Sequence, residues 1–265
     1  MNMASLIDKY RAFIIDLDGV VYLLNEPIPG ARDALMQIQE RGLKFVFLTN
    51  NSASTPEQYV KKLAKFGIEV LPRQIVTSGH AVGRFLDRNY ETEGKTAFVI
   101  GEKGLTSELE ERGLQLVEAD EAGRARFVFV GMDRTFDFEK LKAAVVAIRN
   151  GAEFIAANAD VTYPTPYGLW PGAGAIVAAV ATGSGREPYV AGKPNPLMVE
   201  VALDRIDQEP SEILLIGDRL ETDILAGIEA GVDTMLVLTG ISKVEEIEER
   251  GIRPTYVEEG LRALA

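Results

Sequence analysis

The 265-residue sequence contains no cysteine. That excludes a disulfide, a thiolate nucleophile and any Cys-ligated metal; the absence fits a reducing compartment. Histidine occurs once, as His80, so a His-rich metal site is excluded as well. Positive charge is in short supply: 28 Lys and Arg stand against 40 Asp and Glu, a formal charge of −12 with a pI near 4.8. Holding nucleic acid or an anionic membrane surface requires clustered cations, so neither partner is expected. An acidic chain still binds a small phosphate compound where a cation or a local basic group offsets the charge. Long apolar runs are missing too. The longest nearly apolar stretch, GAGAIVAAVATG, falls well short of a membrane span. The first residues, MNMASLIDKYRAFIIDLDG, have no basic segment followed by a long apolar one, so no signal peptide is expected. Together these absences predict a soluble cytoplasmic protein.

What is present is a large apolar fraction, 46%, enough to bury a sizeable core. The length suits two small domains better than one. Short β-rich runs alternate with helical patterns, which is the pattern of βα units around a mostly parallel sheet. RAFIIDLDG reads as a first strand, and VVYLLNEPIPG as a hairpin-like flap. LKFVFLTNN is a buried strand. A helix follows, with Thr55 as N-cap, Pro56 in its first turn, Gln58 as capping-box partner and Gly67 at its end. In the middle, KTAFVIG, RFVFVGMD and EFIAAN are predicted strands. NADVTYPTPYGLWPGAG is predicted as one long loop, and GSGREPYVAGKPNP as a second. EILLIGDRL is a late strand, ETDILAGIEAG a helix, and SKVEEIEERG a solvated helix face.

Three of the apolar runs end in polar residues: DLDG, TNN and GDRLETD. In an open parallel sheet, ligands bind at the carboxyl ends of the strands. If these strands are neighbours, Asp16, Asp18, Thr49, Asn50, Asp218 and Asp223 converge on one rim. Four carboxylates there repel one another unless a cation intervenes, and an all-oxygen set suits Mg²⁺. Lys193, in GKPNP, adds a fixed positive charge beside them. Each segment alone has a blander reading as a turn or a helix cap. Their joint occurrence in this order, each beside an apolar strand or loop-to-helix junction, favours a reaction centre.

The four segments resemble the motifs of the haloacid dehalogenase superfamily of phosphatases: DLDGV the first, LTNNS the second, GKPNP the third and GDRLETDI the fourth. DGVVYLLNEPIPGA, NADVTYPTPYGLWPGAGAI and AGKPNP further resemble its NagD-like, or p-nitrophenyl phosphatase, branch. The resemblance covers essentially the whole chain. It implies a Rossmann-like, doubly wound parallel α/β core over residues 1–79 and 183–265, with a large α/β cap inserted at 80–182. It implies a Mg²⁺-dependent phosphatase acting on a small phosphate monoester through an aspartyl phosphate. Sugar phosphates, phosphoglycolate-like esters and nucleotides are the substrate classes, and p-nitrophenyl phosphate is an artificial substrate.

The implied roles follow position by position. Asp16 is the nucleophile, and Asp18 the general acid and then base. Thr49 and the backbone around Asn50 and Asn51 hold the phosphoryl oxygens, and Lys193 pairs with Asp16. Mg²⁺ sits on Asp16, the backbone carbonyl of Asp18 and Asp218, with Asp223 in support. Asn158, Asp160 and Thr162 reach from the cap to the leaving group. Tyr163 and Trp170 are candidate pocket walls, more readily packing residues, and His80 is structural or a hinge neighbour. Asp18 also argues against dehalogenation, because a halide leaves without a proton.

Two alternatives stand beside the phosphatase. A phosphotransferase or phosphomutase of this superfamily usually carries a small cap between its first two motifs, and the span from Asp18 to Thr49 leaves no room for one. A non-catalytic protein binding phosphometabolites on the same fold predicts lost motif residues, and all are present. A nucleotide-binding Rossmann module is disfavoured, since no G-x-G-x-x-G follows the first strand. A homodimer through the cap is the oligomer the resemblance suggests.

Overall fold

A computed structural model of the protein describes residues 6–264. Its strands, in chain order, are β1 (Ala12–Ile15), β2 (Tyr22–Leu23), β3 (Glu26–Pro27), β4 (Lys44–Thr49), β5 (Ile75–Thr77), β6 (Thr96–Ile100), β7 (Gln115–Leu116), β8 (Phe127–Val130), β9 (Glu153–Ala156), β10 (Thr162–Thr165), β11 (Gly168–Pro171), β12 (Tyr189–Val190), β13 (Ile213–Gly217), β14 (Asp233–Val237) and β15 (Tyr256–Glu258). They build two parallel sheets, ordered β15-β14-β13-β1-β4-β5 and β12-β9-β8-β6-β7, and two short antiparallel hairpins.

β1 lies at the centre of the first sheet and is buried along its whole length. Its residues alternate between the two faces, as period-2 geometry requires. Phe13 and Ile15 pack on one side with Leu35, Ile38 and Leu63. That side is covered by the helices Ala31–Glu40 and Pro56–Ala64. Ala12 and Ile14 pack on the other side with Leu86 and Met198, from the helices Ser78–Asn89 and Leu197–Ile206. This second apolar cluster does not stop at the first sheet. It runs on through Leu105, Phe127, Phe129 and Ile155 of the inserted unit, so one continuous core supports both sheets.

The start signal at Thr55 is borne out. Its side chain accepts the Gln58 N–H, and the Gln58 side chain returns to the Thr55 N–H. A similar box opens the helix Ser78–Asn89, where His80 Nδ1 accepts the Thr77 N–H at 3.1 Å. Burial, with Arg205 and Arg112 nearby, pushes the His80 pKa down to about 3. His80 is therefore neutral in the fold and takes up a proton on unfolding below about pH 6.5. Its folded value lies below its unfolded one, so the stability it contributes is present above pH 6.5 and is lost as pH falls toward 3. Denaturant midpoints should drop across that window. His80→Gln, which keeps a capping acceptor but does not titrate, should show a shallower drop, the difference being at most about 1.4 kcal/mol per pH unit. Parallel profiles for the two proteins would contradict a buried neutral His80.

Two expectations need correction. NADVTYPTPYGLWPGAG is not one long loop: its middle folds into the hairpin β10–β11, with Thr162 opposite Pro171 and Thr165 opposite Gly168. The turn closes at Gly168, whose φ of +106° is a conformation that favours glycine. The two prolines obscured strands that lie at a sheet edge, where a missing N–H is tolerated. Likewise the stretch GSGREPYVAGKPNP contains β12, which pairs with β9 in the second sheet. The second sheet therefore extends past residue 182, where the inserted unit was expected to end. Among the described residues no helix is long and apolar enough to cross a membrane.

Candidate active site

The three polar-ended strands are neighbours. β1 pairs with β13 on one side and β4 on the other, Ile15 lying opposite both Ile216 and Phe47. The residues just past their ends, Asp16, Asn50 and Asp218, therefore share one rim. Every residue assigned a catalytic, substrate or metal role above lines a single cavity of about 70 Å³ there.

Lys193 organises the acidic side. Its Nζ donates to Asp16 Oδ1 at 2.7 Å, to the Leu48 carbonyl at 3.1 Å and to Asp223 Oδ1. An ammonium has three donors, so all are engaged. Burial by itself lowers the pKa of this lysine, but the Asp16 and Asp223 charges outweigh it and the net shift is upward. The carboxylates move the other way from usual. Burial pushes Asp16 well above the ordinary range; Lys193 pulls it down, and Asp223 and Asp218 push it up again. Asp218 is pushed up to about 7, by burial and then by Asp223. One ammonium is too little charge for three buried carboxylates.

The missing charge has a place. Oxygens of Asp16, Asp218 and Asp223 lie within 4.8 Å of one another, and all three residues are buried. Glycine shapes the cradle: a Cβ on Gly19 would stand 2.2 Å from Asp218 Oδ2, and one on Gly240 1.8 Å from the same atom. Buried, all-oxygen and excess in negative charge, this donor set fits a hard divalent cation. The Asp18 side chain lies outside this carboxylate group: its Oδ2 accepts from the Tyr22 hydroxyl at 3.3 Å.

Asn50 ties the rim together. Its Oδ1 accepts the Lys193 N–H at 2.8 Å, and its Nδ2 donates to Asp160 Oδ1 at 3.0 Å and to the Lys193 carbonyl at 3.1 Å. The Asn50 carbonyl accepts from Asn158 Nδ2 at 2.7 Å and from the Ser78 hydroxyl at 2.6 Å. Thr49 Oγ1 accepts the Asn51 N–H at 3.2 Å, and Asn51 Oδ1 accepts the Ala53 N–H at 2.9 Å, fixing the turn. Asn158 and Asp160 of the inserted unit are thus bonded directly to the loop after β4. Burial raises the Asp160 pKa, and Arg219 and Asn50 oppose that rise.

Sequence reasoning missed Arg219. Its Nη2 donates to the Thr162 carbonyl at 2.8 Å and its Nη1 lies 4.0 Å from Asp160, so it holds the base of the β10–β11 hairpin over the cavity. The signal was available, because Arg219 follows Asp218 directly. Met132, Tyr163, Pro164 and Ile241 give the cavity an apolar side. Met132 lies two residues past the end of β8, a cue related to that of Asp16 just past β1, whereas Ile241 has no local signal. Tyr163 is a pocket wall as considered. Trp170 is not part of the lining; it packs edge-on against Tyr163, with ring centroids 6.2 Å apart.

Residues 13–115 match the family model of haloacid dehalogenase-like hydrolases, and residues 190–264 match a second HAD-hydrolase-like model. The chain belongs to the haloacid dehalogenase-like hydrolases. It is 37% identical over 248 residues to the acid sugar phosphatase of Staphylococcus aureus, covering 94% of each chain. It superposes on NagD from E. coli K-12 with a TM-score of 0.84 at 35% identity, covering 96% of this chain and 98% of that one. A glycerol phosphate phosphatase from Mycobacterium tuberculosis, solved in complex with magnesium, gives a TM-score of 0.89 at 34% identity over 99% of this chain and 78% of its own. Within the family the chain is one of the NagD-like phosphatases, a hydrolase of phosphoric monoesters.

Proposed function

We propose that this HAD-type phosphatase is dependent on a divalent cation, Mg²⁺ by the chemistry of its donors, and hydrolyses a sugar or polyol phosphate through an aspartyl phosphate. The observation that carries the reading is the buried Asp16–Lys193–Asp223 bridge beside Asp218, at the ends of adjacent parallel strands. Lys193 holds Asp16 Oδ1 and so fixes the orientation of the carboxylate that attacks phosphorus. A carboxylate and a phosphate monoester are both anions, so their approach requires positive charge at the reacting oxygens. Lys193 supplies one such charge. Asp16, Asp218 and Asp223, with the Asp18 carbonyl, would hold the metal, whose charge lowers the repulsion further.

In the first displacement, an Asp16 oxygen bonds phosphorus as the ester P–O bond breaks. The departing oxygen takes a proton from the Asp18 carboxyl. In the second, the Asp18 carboxylate takes a proton from water as that water's oxygen bonds phosphorus. The Asp16–phosphorus bond then breaks, and phosphate leaves. Asn50, Asn158, Asp160, Thr162 and Arg219 hold the inserted unit over this chemistry. Acting as a cap, that unit keeps bulk water from the acyl phosphate. Thr49 and the backbone of Asn50 and Asn51 orient the phosphoryl oxygens. The similarity to sugar and glycerol phosphate phosphatases supports a neutral polyol leaving group, with the apolar wall of Met132 and Tyr163 beside its carbon skeleton.

The test is a panel of sugar phosphates, glycerol phosphate, nucleotides and p-nitrophenyl phosphate, read as inorganic phosphate release. Release should require Mg²⁺, fall to background in chelator and return on adding the ion back. Full activity after exhaustive chelation would overturn the metal dependence. Ester binding without phosphate release would overturn hydrolysis.

A further inference from the structure

We propose that Tyr22 and Lys62 are a positioning pair that fixes the Asp18 carboxyl for proton delivery to a poor leaving group. The inference rests on the reading of Asp18 as the general acid, and it concerns two residues outside the four motifs.

Tyr22 lies on β2, in the flap that follows the Asp18 turn, and its side chain is completely buried. Two contacts lock it to that turn. The Gly19 N–H donates to the Tyr22 carbonyl at 2.9 Å, and the Tyr22 hydroxyl donates to Asp18 Oδ2 at 3.3 Å. Oδ2 is thereby turned toward the flap, and Oδ1 is the Asp18 oxygen with no protein donor among the described residues. Asp18 lines the cavity, so Oδ1 is the atom available to a leaving group.

Lys62 lies over the face of the Tyr22 ring. It projects from the helix Pro56–Ala64, with Nζ 3.4 Å from the Tyr22 ring centroid. Among the described residues it has no carboxylate within ion-pair distance and no side-chain hydrogen bond. A largely buried ammonium with no carboxylate in contact is costly, and the aromatic face and the more distant Asp18 charge offset only part of that cost, since burial still holds the Lys62 pKa down. An apolar side chain would fill the same place more favourably. What the cation touches is the ring: Lys62 lies over the Tyr22 face, and Phe66 packs against the same ring in a tilted contact, 5.8 Å away between centroids. With the ring fixed, the hydroxyl is fixed, and with it the Asp18 carboxyl.

The consequence is selective. When Asp16 bonds phosphorus and the ester P–O bond breaks, an alkoxide must receive the Asp18 proton. A nitrophenolate leaves as a stable anion and needs none. A misdirected Asp18 should therefore penalise alkyl esters and spare aryl ones. The parameter to read is kcat/KM, which covers steps through the first phosphoryl transfer and excludes the later hydrolysis of the acyl phosphate.

The experiment measures kcat/KM for glycerol phosphate and p-nitrophenyl phosphate, with Mg²⁺, in wild type, Tyr22→Phe, Lys62→Met and Lys62→Arg. Tyr22→Phe and Lys62→Met should lose about ten-fold on glycerol phosphate and under about two-fold on p-nitrophenyl phosphate. Lys62→Arg, which keeps the cation, should restore most of the alkyl-to-aryl ratio. Equal losses on both esters, or no loss on either, would overturn the pair and leave the phosphatase reading standing. A wild type inactive on both esters would overturn both. Tyr22→Phe preserves the ring; should it fail to fold, the two Lys62 variants carry the same comparison.

Discussion

Asp16→Asn is expected to abolish turnover, lowering phosphate release from any ester by at least about 10³-fold. The amide is nearly the same size but is a poor nucleophile, and it cannot give a normal acyl phosphate. The same substitution should not unfold the protein. Asp16 lies in a cluster where burial and its neighbours Asp223 and Asp218 all oppose its charge. Replacing it by a neutral group removes that repulsion, and Lys193 keeps its bond to Asp223. In metal-free buffer the variant should therefore melt no lower than wild type. This pairing of outcomes separates chemistry from structure. A variant that turned over at the wild-type rate would overturn Asp16 as nucleophile. One that lost activity only through a lower melting point would point to a structural role instead.

Lys193→Met should lose both activity and stability. Lys193 is buried against Asp16 and Asp223, with side-chain exposures of 2%, 9% and 3%. Removing one member of a buried, hydrogen-bonded set leaves the others uncompensated, at a cost of about 3–5 kcal/mol. The cost has a pH signature. Without the ammonium Asp16 and Asp218 lose a charge that pulls their pKa values down, so the native variant binds more protons than wild type. Its stability deficit should be greatest at alkaline pH and should narrow on acidification. Divalent cation at millimolar concentration should also narrow it, because without the ammonium the carboxylates hold the ion more tightly and the variant gains more from binding than wild type does. Thermal melts at several pH values, with and without Mg²⁺, would check both trends. A deficit independent of both variables would mean that packing, not charge, is what Lys193 supplies.

Much of the architecture was legible because it rests on short-range patterns. A short apolar run ending in polar residues marks β1, and the box from Thr55 to Gln58 marks a helix start. These signals lie within a few residues and depend on local backbone sterics and hydrogen bonding. The acidic site was legible for another reason: motifs at the ends of apolar strands become neighbours once the sheet is parallel. The hairpin β10–β11 was hidden because Pro164 and Pro171 read as loop residues, though an edge strand accepts them. Arg219 could be suspected from its place directly after Asp218, but its partner, the Thr162 carbonyl, is fixed by tertiary folding alone. Lys62 carries no local signal in the sequence, and only its contact with the Tyr22 ring distinguishes it from Lys61.

The place of β12 has a practical consequence for recombining parts of this family. The strand ends at Val190, and Lys193 follows three residues later. The inserted unit is thus spliced almost directly onto Lys193. A chimera that exchanged residues 80–182 would leave β12 behind, forcing a foreign sheet to accept a resident edge strand. A graft with its second junction at Ala191 or Gly192 would carry the sheet whole. That junction must also respect Gly192, where a Cβ would stand 2.5 Å from the Ala157 carbonyl oxygen and 2.8 Å from Asn50 Oδ1. The seam for domain exchange is therefore about two residues wide, and its sequence is dictated by the host.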